Sequence, residues 1–198
     1  DHSASRQCSG PSAVFHQTYT EDNNVIAFDC NLNACELLSP EQIPLNDNSP
    51  AVIFIATAPP LQQSRAIAWL KDNRYRGQIA VDTNLSYIAD FETMLENAAG
   101  FIHWVFLNAE EYEALRRPPP LETGLIVKRG TGGASMRVDG RWLQVATRAV
   151  PNVITTTGAG DVLAGSFLAA LLRGDQQADA LSFAVFRATN YVELGLDV

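Results

Sequence analysis

The stretch ITTTGAGDVLAGSFLAALLRG, residues 154–174, decides the fold. Three threonines and Gly-Ala-Gly run into a single aspartate, Asp161. The eleven residues after it carry no charge before Arg173. That apolar run reads as a core helix from 159 to 172, with Gly174 as its stop. Gly158 and Gly160 leave backbone N–H groups uncovered. If the helix starts there, those groups and the helix dipole make an anion site, and phosphate is its natural guest. Asp161, in the first turn, can then accept the proton of an attacking hydroxyl while the N–H groups hold migrating phosphoryl charge. The competing reading is a plain tight loop, with Asp161 a charge that complements the dipole. The fragment alone does not separate the two, because short glycine motifs are weak evidence.

Outward from this stretch, the pattern is that of an α/β chain. AVIFIA (51–56), QIAVD (78–82), FIHWVF (101–106) and GLIVK (124–128) are continuous apolar runs, as expected of strands buried on both faces. Between them, LQQSRAIAWLKDN (61–73), YIADFETMLENAA (87–99) and the acidic AEEYEALRR carry helical patterns. This alternation implies a mostly parallel sheet with helices on both faces. SMRVDGRWLQV (135–145) predicts a hairpin turning at Asp139-Gly140, and a last helix is expected over 176–193. Ahead of all this, the β-rich runs SAVFHQTY and NNVIAFD meet at TEDN, where Asp22, Asn23 and Asn24 are turn formers, so residues 1–48 read as a tail plus a β hairpin. CELLSPEQI reads as a short helix or turn. Residues 49–198 form the main α/β domain.

Composition narrows the function. The chain has 198 residues, 46% hydrophobic and 18% charged, enough for a substantial core. A net charge of -8 repels phosphate backbones, so nucleic acid is not an expected partner; an anionic nucleotide needs a local positive site. Cys8, Cys30 and Cys35 are odd in number and form no C-x-x-C, and His2, His16 and His103 are scattered, which argues against disulfides and zinc. No run is long enough to span a bilayer, and the polar N-terminus is no signal peptide. The expected setting is the cytoplasm.

The 154–174 stretch resembles the C-terminal signature of the ribokinase-like (PfkB) sugar and nucleoside kinases, D-T-x-G-A-G-D, matched here by Thr156, Gly158, Ala159, Gly160 and Asp161. LNAEEYEAL carries the N-x-x-E of that family as Asn108 and Glu111. LIVKRGTGGA is similar to its strand and G-x-x-G nucleotide loop, with Gly130 and Gly133. The resemblance implies a three-layer ribokinase-like fold in which the early hairpin is a lid, and an ATP-dependent kinase acting on a sugar or nucleoside hydroxyl. It implies Asp161 as base, and the amides of Gly158, Ala159 and Gly160 as the anion hole. Lys128, Gly130, Gly133 and Thr156 would meet ATP, and Asn108 and Glu111 would organise Mg2+ through water. Each of the outlying residues also has a plain reading: Glu111 as a solvated helix charge, Gly130 and Gly133 as a β-turn, Lys128 as a surface cation.

The early segment, SAVFHQTYTEDNNVIAFDCNLNACELLSPE, resembles the lid of pseudouridine-kinase-type members, and since lid hairpins of the family often pair into dimers, the resemblance implies a homodimer through the lid. Asp82 and Asn84 form a D-x-N like that of some sugar kinases of the family, with Ser86 where those have arginine. Thr155 replaces the first aspartate of the signature, which touches the monovalent-cation site the family uses near this loop, and Ser166 stands where Gly or Ala is usual. The strand and glycine-rich substrate region expected ahead of the lid do not occur, so the chain reads as a fragment or shortened product. That leaves a second hypothesis, a non-catalytic module that binds a nucleotide or sugar. A dinucleotide-binding domain is disfavoured because no G-x-G-x-x-G follows an early strand.

Overall fold

The computed structural model describes residues 14–19, 25–31, 39–43, 45 and 50–195. The chain divides into two compact units, 1–47 and 48–198. In the first, β1 (Val14–Tyr19) pairs antiparallel with β2 (Val25–Asn31), with a register shift between Thr18 and Tyr19. That is the expected hairpin. Of the CELLSPEQI segment, a single 3-10 turn, Pro40–Gln42, lies among the described residues. Cys8 and Cys35 lie outside them.

The second unit holds one six-stranded sheet in sequential order, β3 (Val52–Ile55), β4 (Gln78–Asp82), β5 (Trp104–Asn108), β6 (Gly124–Lys128), β7 (Ala134–Val138) and β8 (Arg141–Val145). The first four strands are parallel, and β7 and β8 turn back antiparallel. Between β3, β4, β5 and β6 run the crossover helices α1 (Pro60–Asp72), α2 (Ile88–Asn97) and α3 (Ala109–Ala114). Strand β5 begins three residues later than its apolar run, because Phe101 donates its N–H back to Ala98 and is spent in the turn that ends α2. The β7–β8 turn sits at Asp139 and Gly140 as expected, with φ of 50° and 74°. Two successive positive φ values are the requirement of a type I′ hairpin.

Successive residues of the central strands face opposite ways, and both faces are buried. Ala80, Trp104, Phe106, Ile126 and Met136 pack against α4 (Ala159–Leu172) and α5 (Gln177–Leu194). Phe167 of α4 meets Trp104 and Phe106 edge-on, with ring centroids at 4.8 Å and 6.1 Å. Burying each such ring contributes about 1.5–3 kcal/mol. Leu163, Phe167, Ala170, Leu181 and Ala184 bury the contact of α4 with α5, where alanines let the two helices approach closely. The alternate strand positions Val81, Val105, Leu107, Leu125 and Val127 are wholly buried on the other face, which draws on Ile67, Leu70, Phe91 and Met94 of α1 and α2. Gly124 lies in register with Trp104. A Cβ there would stand 2.3 Å from the indole ring, so only glycine lets the indole lie across β6.

Candidate active site

In an open α/β sheet the crevice forms beyond the carboxyl ends of the parallel strands. Here three neighbouring strands end on polar side chains: Asp82 closes β4, Asn108 closes β5 and Lys128 closes β6. Asn108 and Lys128 are register partners. Lys128 reaches across β5, and its Nζ donates to Asp82 Oδ2 at 2.6 Å. Asp82 is held from two sides more. Its Oδ1 accepts the Thr83 N–H at 2.8 Å, and its carbonyl accepts Gln63 Nε2 at 2.7 Å. Burial pushes the Asp82 carboxyl up, the Lys128 ammonium opposes this, and the Asp161 charge adds to the push.

Asn108 and Glu111 form a capping box at the start of α3. Glu111 N–H donates to Asn108 Oδ1 at 2.8 Å, while Asn108 N–H and Nδ2 donate to Glu111 Oε2 and Oε1 at 2.6 Å and 2.8 Å. The N-x-x-E spacing is therefore also what a helix start needs, since each residue satisfies an orphan amide of the other. Glu111 is not the solvated charge that Glu110 resembles in sequence; it is only 4% exposed. Burial raises its carboxyl to about 7, against the pull of the Asn108 amide and Lys128.

The Thr-Thr-Thr-Gly-Ala-Gly loop enters α4 through Gly158, whose φ of 87° is left-handed and favours glycine. Helix α5 pins this loop: Tyr191 Oη donates to the Thr157 carbonyl at 2.8 Å, and Ile154 N–H to the Val192 carbonyl at 2.9 Å. The Ala159 N–H donates to the Thr156 carbonyl at 3.2 Å, so within the expected anion hole that amide already has an acceptor. The amides of Gly160 and Asp161 belong to the first turn, where a helix supplies no acceptor of its own. Asp161 sits in that turn with its side chain exposed. A Cβ on Gly160 would lie 3.3 Å from Lys128 Nζ, which places the ammonium against the helix start.

A cavity of about 840 Å³ opens here, within the range of small-molecule sites. Asn108, Lys128, Gly130, Thr156, Ala159 and Gly160 are among the residues that line it. Gly133 lines it as well, but the close approach it permits is internal: a Cβ there would stand 2.0 Å from the Val145 carbonyl. Gly130 has nothing within 4 Å of such a position and is open. Its apolar lining includes Val150, Val153, Val185, Ala188 and Val192, and Arg148 lines it as well. Two lining threonines, Thr147 and Thr189, bond to each other at 2.6 Å, and Thr189 also donates to the Val185 carbonyl.

Asn108, Lys128, Gly130, Gly133, Thr156, Ala159 and Gly160 thus line one cavity; Gly158, Asp161 and Glu111 do not line it, but Gly158 and Asp161 adjoin lining residues in the chain and Glu111 is hydrogen-bonded to Asn108. Unforeseen in the sequence were the valine wall, the threonine pair, the Tyr191 clamp and the Asp82–Lys128 pair. The D-x-N spacing drew notice to Asp82 but not to its partner. Among the described residues no group of three or more His, Cys, Asp or Glu is placed to hold a metal, and no helix is long and apolar enough to cross a membrane.

Comparison with known proteins bears on the fold. The nucleoside kinase of Burkholderia thailandensis in complex with inosine superposes with a TM-score of 0.77 at 17% identity, over 93% of this chain and 62% of that one. The Methanocaldococcus jannaschii nucleoside kinase, an archaeal member of the ribokinase family, gives 0.74 at 22% identity, over 93% and 62%. The adenosine kinase of Sinorhizobium meliloti gives 0.72 at 20% identity, over 92% and 61%. The chain therefore spans about three-fifths of the length of these structures, and the likeness is one of fold. No curated protein gave a significant match. The model of the pfkB family carbohydrate kinases matches residues 5–192, and the chain belongs to that family.

Proposed function

We propose that the chain is the nucleotide-binding and phosphoryl-transfer part of a kinase that uses ATP to phosphorylate a hydroxyl of a sugar or nucleoside. One observation carries this: an exposed carboxylate, Asp161, in the first turn of a helix whose glycine start forms the wall of a nucleotide-sized cavity. The valines and alanine of the lining offer packing to a purine base. Lys128 offers an ammonium to phosphates, and the helix start beside it at Gly160 offers free helix amides.

In this reading the acceptor hydroxyl approaches Asp161. Its proton passes to an Asp161 carboxylate oxygen as its oxygen bonds to the γ-phosphorus of ATP. The bond from that phosphorus to the β–γ bridging oxygen breaks, and ADP leaves carrying that oxygen. The α4 amides and Lys128 hold the charge on the phosphoryl oxygens during transfer. Such chemistry takes its ATP with magnesium, which neutralises phosphate charge. Asn108 and Glu111 fit an outer-shell hold on such an ion. The Asn108 amide oxygen and both Glu111 carboxylate oxygens already accept hydrogen bonds, and among the described residues no cluster of three or more His, Cys, Asp or Glu forms around them, which suits an ion ligated chiefly by phosphate and water.

The test is ADP release from ATP and magnesium over a panel of sugars and nucleosides, pseudouridine included. Asp161→Asn is expected to lose about 10²–10⁴-fold in turnover, the range of a general base, while keeping the ATP-induced rise in Tm. Unchanged turnover in the variant refutes the assignment. Silence across the panel with an intact ATP response would favour the alternative, a kinase-like module that binds nucleotide without turning it over.

A further inference from the structure

Asp82 is only 2% exposed and cannot meet a substrate, yet its carboxylate is locked onto the one cavity-lining ammonium, Lys128, at 2.6 Å. A buried ion pair is a poor stabilising device, since well-packed apolar residues serve as well or better. This one joins the ends of two strands across a third, at the crevice, and Lys128 Nζ lies against Gly160 in the first turn of α4. Asp82 itself has no freedom to move. The Thr83 amide holds its other oxygen, and Gln63 ties its carbonyl to that of Ala56 at the end of β3.

We infer that Asp82 is a positioning residue: it fixes the Lys128 ammonium over the start of α4, where it reads the terminal phosphate of a nucleoside triphosphate. The inference rests on the kinase reading above. An ammonium has three donors. Asp82 takes one, and the others stay directed into the cavity for an incoming phosphate oxygen. Without the carboxylate, the four-carbon stem of lysine is free to wander, and its hold on one phosphate position is lost. The group that gains most from a fixed ammonium is the phosphoryl nearest Asp161. Asp82 therefore sets the preference for ATP over ADP rather than nucleotide affinity as a whole.

The experiment measures dissociation constants for ATP and for ADP by calorimetry, without acceptor, in the wild type, Asp82→Asn, Lys128→Met and the double variant. Asparagine still accepts the Thr83 N–H, and methionine keeps the apolar stem. The expected result is that each single variant lowers the ratio of the ADP to the ATP constant about tenfold, the scale of one charged hydrogen bond. The double variant should lower it no further, because Asp82 acts through Lys128. A merely structural pair would lower Tm and leave the ratio alone. An unchanged ratio in both single variants, or losses that multiply in the double variant, overturns the inference. If Asp82→Asn fails to fold, Asp82→Glu and Lys128→Met decide it: the first should keep the ratio within about threefold, and the second should lose it. Turnover over the acceptor panel is read separately, so failure of the kinase reading and failure of the Asp82 role give different outcomes.

Discussion

Glu111 shows how a motif residue can be structural and chemical together. Its carboxyl caps α3 through Asn108, and burial raises it to about 7 from an ordinary 4.5. Between those two values the folded chain holds a proton that the unfolded chain has released. Stability therefore falls as pH rises across that window and is level above it. Glu111→Gln removes the titration and keeps the capping box, which glutamine also forms. The advantage of the variant over the wild type should grow by up to about 3 kcal/mol between pH 4.5 and 7, at about 1.4 kcal/mol per pH unit. Urea midpoints across that range check it, and a difference that does not change with pH would place the carboxyl in its ordinary range. The N-x-x-E spacing was legible in the sequence. That Glu111, unlike Glu110, is buried was not, because adjacent helix positions look alike until the sheet lies beneath one of them.

At the scale of the element, the two loop glycines divide the labour that the G-x-x-G pattern assigns to them jointly. Gly133 has a φ of 83° and would drive a Cβ to 2.0 Å from the Val145 backbone; Gly130 has a φ of 52° and an open position. Gly133→Ala must push β8 away from the β6–β7 loop and should cost about 2–3 kcal/mol by overpacking and backbone strain. Gly130→Ala should cost about 1 kcal/mol, the left-handed penalty alone, and should weaken the ATP-induced rise in Tm by filling the cavity wall. Thermal melts with and without ATP separate the two, and equal stability losses would show that the contact with Val145 is not tight. The β7–β8 turn and the start of α4 were readable from Asp139-Gly140 and Gly158, because left-handed backbone selects its residues locally. The start of β5 was not, because Phe101 and Ile102 are as apolar as the strand they precede.

For the whole molecule, the cavity-lining residues and the six-stranded sheet all lie in the unit 48–198. That segment, made without residues 1–47, is expected to melt cooperatively and to show an ATP-induced rise in Tm. Loss of the response with folding intact would mean that nucleotide binding needs the first unit. Legible in the residues alone were the alternation of strands and helices, the hairpins, the apolar helix behind Gly-Ala-Gly-Asp and the family they signal. Those features follow from side-chain periodicity and from the φ that glycine allows, both set within a few residues. The folded arrangement alone brings Lys128 to Asp82, 46 positions away, and Thr147 to Thr189, 42 positions away, and sets valines of α5 in the cavity wall. Those contacts depend on strand order, register and the face each helix covers, and no local pattern in the chain encodes them.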